Sequence, residues 1–145
     1  MAHRLGTSSS DILTAVDYLR SGGVVGVPTE TVYGLAASAF NVDAVSEIYR
    51  LKGRPANNPL ILHIHHQDQI GQIATNIPDA LSDLVEAFWP GPLTVVLKSK
   101  ASVPAIVRAG GDTVAIRLPS HPVFQSVLAT INEPLAAPSA NRSNH

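Results

Sequence analysis

Apolar positions recur along this chain at two alternating spacings, and the alternation predicts its elements. Ile12, Val16 and Leu19 fall at helical intervals. Ser8, Ser9, Ser10 and Asp11 stand where side chains can cap free amides, and Gly22 and Gly23 stop the segment. Residues 24–27 form a short β-branched run ending at Pro28, the pattern of a buried strand. Residues 29–41 read as a turn followed by small residues. A second helix spans 42–51, with Asp43 near its start and Val45, Ile48 and Tyr49 at helical spacing. Two prolines and a glycine exclude regular structure from 52–59, and the apolar run at 60–64 predicts the next strand.

Helical spacing returns at 67–74 and at 78–89, where Leu81, Leu84, Val85 and Phe88 share one face. The turn Trp89-Pro90-Gly91-Pro92 ends the second of these, and 93–97 resumes as strand. Residues 113–118 read as a strand, 121–131 as a helix opening with His121-Pro122, and 134–137 as a short apolar stretch. Strands alternating with helices assign the α/β class: a single-domain twisted open sheet, mostly parallel or mixed, with flanking helices, spanning 1–145. No repeat, low-complexity tract or linker divides it.

Composition narrows the class. Of 145 residues, 45% are hydrophobic and 14% charged, which excludes a disordered chain and a charged coiled coil. A net charge of −1 excludes a globally basic nucleic-acid binder but not a local basic patch. Without cysteine there is no disulfide scaffold, thiolate nucleophile or Cys-type zinc site. The absence of a signal-like or membrane-length apolar run leads to the expectation of a soluble, cytoplasmic domain with no membrane partner.

Candidate chemistry sits at strand ends. Residues 28–34, Pro-Thr-Glu-Thr-Val-Tyr-Gly, place two hydroxyls and a carboxylate after the first strand; they suit a small zwitterion, a metal or a capped turn. Arg50, Lys52 and Arg54 put three cations within five positions, and Asn58 closes the Gly/Pro loop that follows. Guanidinium and ammonium groups match phosphate oxygens, so the loop reads as an anion site, against a solvated basic turn. His63 and His65 alternate along a strand and His66 follows, but no third ligand has metal-site spacing, so hydrogen-bonding roles are expected. Arg117 shares a strand face with Thr113 and Ala115, where burial demands an anion or carboxylate. Pro138-Ser139-Ala140-Asn141 adds a hydroxyl and an amide. None of the common phosphate-loop or nucleophile-elbow motifs is present.

Five blocks in one order resemble the YrdC/Sua5 family: 28–34; Lys52-Gly53-Arg54-Pro55 with Asn58-Pro59-Leu60 and His63; Trp89 to Thr94; Ala115 to Pro119; and Pro138 to Asn141. The resemblance implies a YrdC-like fold and a nucleotidyltransferase, threonylcarbamoyl-AMP synthase. Such an enzyme makes threonylcarbamoyl-adenylate and pyrophosphate from L-threonine, bicarbonate and ATP, with Mg2+ on the phosphates. The product serves the threonylcarbamoyl modification of adenosine 37 in tRNA, through a downstream transfer machinery. Carried over by position, Thr31, His63 and Arg117 correspond to threonine-site residues. Arg54, Asn58, Thr113, Ser139 and Asn141 correspond to ATP-site residues, and Lys52 with Arg54 to the groups that stabilise phosphate charge. Family chains continue beyond the Ser-Ala-Asn block. The resemblance therefore implies a missing continuation, weak or absent turnover, and an unpaired strand edge near 134–137. Two other readings stand beside the enzyme: a double-stranded RNA or tRNA-binding module without catalysis, and a relative that handles carbamoyl-adenylate.

Overall fold

The computed structural model describes residues 3–4, 9–28, 33–53 and 59–138. Among them run eight strands: β1 (His3–Arg4), β2 (Val25–Pro28), β3 (Tyr33–Ser38), β4 (Ile61–His63), β5 (Ala74–Thr75), β6 (Val95–Ser99), β7 (Thr113–Arg117) and β8 (Leu135–Ala137). They form one sheet in the order β1-β2-β3-β8-β4-β7-β6-β5. The sheet is mixed, as expected: β1 with β2 and β4 with β7 are parallel, and the remaining neighbours are antiparallel.

Helices cover both faces. On one side lie α1 (Ser9–Arg20) and α5 (Pro122–Ile131), whose Val16, Leu19, Phe124 and Leu128 pack with Val25, Ala36 and Leu135. On the other lie α2 (Val42–Lys52), α3 (Ile70–Ile73) and α4 (Leu81–Phe88), packed on Ala37, Leu62, Leu97 and Ile116. The helix ends follow local chemistry. Asn41 Oδ1 accepts from the Ala44 amide at 3.0 Å to cap α2, and Gly53 ends that helix at φ 61°. His121 Nδ1 accepts from the Val123 amide at 3.2 Å to cap α5, with Pro122 in its first turn.

Two expectations change. The small residues at 33–38, given no element from the sequence, form strand β3, and helices pack on both of its faces: Ala36 and Ala37 are wholly buried in opposite cores. Stretch 134–137 is not an exposed edge. Strand β8 lies mid-sheet, pairing with β3 on one side and β4 on the other.

Candidate active site

Side chains of β7 alternate between the two faces of the sheet. Val114 and Ile116 enter the α2–α4 core, whereas Thr113, Ala115 and Arg117 share the opposite face. Helices α1 and α5 cover that face over β2, β3 and β8, but it opens toward the outer strands, where Val96 is 63% exposed. Register sets His63 beside Arg117, Ile61 beside Ala115, Val96 beside Ala115 and Lys98 beside Thr113. On this face β4, β6 and β7 therefore carry two cations, Lys98 and Arg117, and no carboxylate.

Arg117 is half-buried, and its Nε and Nη2 donate to Thr94 Oγ1 at 2.9 and 2.6 Å. A neutral hydroxyl thus meets this part of the guanidinium. His63 is buried and its Nδ1 lies 3.1 Å from the carbonyl oxygen of Ile61. A carbonyl only accepts, so Nδ1 carries the hydrogen in this contact. The ring itself rests on Phe124 of α5.

The neighbouring histidines have structural work. Strand β4 ends at His63, so His65 does not continue its face; His65 Nε2 pairs instead with Asn132 Oδ1 at 2.9 Å. His66 Nδ1 accepts from the Asp68 amide at 3.1 Å and caps the 3-10 turn Gln67–Gln69. Among the described residues no group of three or more His, Asp or Glu side chains is placed to hold a metal ion.

The cationic run is divided. Arg50 pairs with Glu47 through two contacts on the outer surface of α2, Nε to Oε1 at 2.7 Å and Nη2 to Oε2. The hydrogen bond from Arg50 holds the Glu47 carboxyl below its ordinary value, and Glu47 raises Arg50 in turn. Arg50 therefore leaves the expected anion site. Lys52 is half-buried at the last position of α2. Thr113 is exposed at the start of β7, four residues or about 13 Å along the strand from Arg117. Thr31, Arg54, Asn58, Ser139 and Asn141 lie outside the described residues. The described residues that flank Asn58 and Ser139 meet at the Thr113 end of the sheet: Ala137 pairs with Ile61, two residues after Pro59.

Thr94 has no role assigned from sequence, although it closes the Trp89 block. The signal was a hydroxyl one position before a strand that pairs with the Arg117 strand. Trp89 Nε1 donates to the Leu93 carbonyl at 2.8 Å, and the Gly91 amide to the Leu118 carbonyl at 2.9 Å. A separate open pocket of about 530 Å³ beside Asn41 mixes Arg20 with Asp43 and Glu133, and Glu133 already accepts from Ser38 Oγ.

The model of the Sua5/YciO/YrdC family, described as telomere recombination, matches residues 17–145. The chain belongs to this family. Family members it resembles include the threonylcarbamoyl-AMP synthase of Pyrococcus abyssi, 46% identical over 91% of this chain and 39% of the relative. That of Bacillus subtilis is 46% identical over 96% of this chain and 40% of the relative. The chain thus spans about two fifths of the length of these Sua5/YciO/YrdC relatives. Among solved structures, P. abyssi Sua5 complexed with L-threonine superposes with a TM-score of 0.89 at 43% identity, over 99% of this chain and 42% of that one. Among the described residues no helix is long and apolar enough to cross a membrane.

Proposed function

We propose that the open face of β4, β6 and β7 is the substrate face of a threonylcarbamoyl-AMP synthase, a nucleotidyltransferase. The observation that carries this reading is the row His63–Arg117–Thr94, with two cations and no carboxylate on a face otherwise lined by small and apolar groups. Relatives at 46% identity bear the synthase name, and the P. abyssi structure holds L-threonine, which favours the enzyme over a purely RNA-binding module.

In this reading Arg117 receives the carboxylate of threonine. His63 and Thr31 contact its hydroxyl or amine. Lys52, Arg54, Asn58, Thr113, Ser139 and Asn141 hold ATP toward the Thr113 end. The distance of about 13 Å between Thr113 and Arg117 suits a product with a carboxylate at one end and adenosine at the other. The amine of threonine combines with bicarbonate, losing water, to give a carbamate. A carbamate oxygen attacks the α-phosphate and pyrophosphate leaves. No protein nucleophile is needed; the side chains position reactants and stabilise phosphate charge. Mg2+ would accompany the ATP phosphates and offset their charge; among the described residues no group of three or more His, Asp or Glu is placed to hold it. The adenylate would pass to the machinery that transfers threonylcarbamoyl to adenosine 37 of tRNA.

Pyrophosphate release from ATP, measured with and without L-threonine and bicarbonate, tests this directly. Release that requires both supports the reading. Release indifferent to threonine, with no threonine binding in calorimetry, overturns it.

A further inference from the structure

We propose that Thr94 is a positioning residue that fixes the Arg117 guanidinium for the carboxylate of the amino-acid substrate; this rests on the threonine-site reading above. Two N–H groups of Arg117 converge on the single oxygen of Thr94, which sets the plane of the guanidinium. Thr94 engages the Nε–Nη2 edge and so fixes how the guanidinium is presented to a carboxylate. The choice of a hydroxyl matters. An aspartate at this position would orient the arginine equally well but would cancel its charge, whereas a threonine orients it without adding a negative charge.

The backbone on either side of the pair is held too. The turn preceding Thr94 is closed by Trp89 Nε1 on the Leu93 carbonyl, and Gly91 donates to the carbonyl of Leu118. Leu93 and Leu118 are the immediate neighbours of Thr94 and Arg117, so the turn ties together the two strands that carry the contact. β-Branching at Thr94 further limits its side-chain rotamers. The Trp-Pro-Gly-Pro-Leu-Thr block thereby acquires a function: it aims an arginine.

Calorimetry on the full chain with L-threonine, L-threoninamide and ATP separates the possibilities. Thr94→Val keeps the shape and removes the acceptor; it should weaken L-threonine about ten-fold or more. Its affinities for ATP and for the amide, which has no carboxylate, should stay within about two-fold, while Thr94→Ser restores threonine binding to within about three-fold. Undiminished threonine binding by folded Thr94→Val overturns the proposal, as does an equal loss for threonine and threoninamide. Should Thr94→Val not fold, Thr94→Ala removes the same oxygen and is judged by the same ratio. Absence of threonine binding by the unmodified chain would instead overturn the site reading itself.

Discussion

The imidazole of His63 lies against the ring of Phe124, with centroids 5.1 Å apart and planes tilted by 35°. Helix α5 thus forms the wall that stops His63 from turning, and Phe124 is itself 1% exposed. Phe124→Ala should destabilise the fold by about 3–5 kcal/mol. Phe124→Leu should cost less and still weaken threonine binding, because the ring loses its flat support. Denaturant unfolding with calorimetry checks both, and unchanged threonine affinity in Phe124→Leu would separate His63 from this wall.

A Cβ added at Gly91 would stand 2.8 Å from the Phe88 carbonyl oxygen, a backbone atom with little room to move. Gly91→Ala should therefore shift the turn that leads to Thr94, at a cost of about 1–3 kcal/mol. Thermal unfolding gives the stability loss. Binding of L-threonine should fall more than binding of ATP.

Lys52→Ala should weaken ATP and leave the melting temperature nearly unchanged, since its side chain lies in the last turn of α2 outside the apolar core. A site that hydrogen-bonds a hydroxyl rejects an analogue lacking it, so L-threonine should bind roughly ten-fold or more tightly than L-valine. Titration calorimetry reads both, and equal affinity for threonine and valine would argue against a hydroxyl contact.

Glu47 should titrate below the ordinary carboxyl value of 4.5, because Arg50 hydrogen-bonds its charged form. A carboxyl with a depressed folded-state value stabilises the fold above its unfolded value and loses that contribution as pH falls through the folded one. Here both groups stand on the surface, so stability should barely respond. NMR titration of the Glu47 carboxyl should show the low midpoint, and Arg50→Ala should return it toward 4.5.

Where side-chain spacing carried the information, the sequence was readable. Val16 and Leu19 in α1, Val45 and Ile48 in α2, and Val114 and Ile116 in β7 are buried as their periodicity predicts. Strand β3 was not readable, because Ala36 and Ala37 have low strand propensity and are selected by close packing from both faces. The position of β8 depends on long-range pairing that no local pattern encodes. The shared face of Thr113, Ala115 and Arg117 was legible from alternation alone. The contact of Arg117 with Thr94 was not, since it spans 23 residues. Arg50 was drawn into the anion site by counting charges, while Glu47, one helical turn earlier, takes it up.

Strand β8 has a further consequence for how the sheet is held together. Strands β3 and β4 do not touch each other in the ladder; each pairs with β8, which lies near residue 136. Without β8 the sheet divides into two halves, β1 to β3 and β4 to β7, each with a bare inner edge that Leu135–Ala137 covers. Three residues, Leu135, Ala136 and Ala137, act as a keystone: they close both edges at once and bring the helix α1 half of the molecule onto the half that carries Arg117.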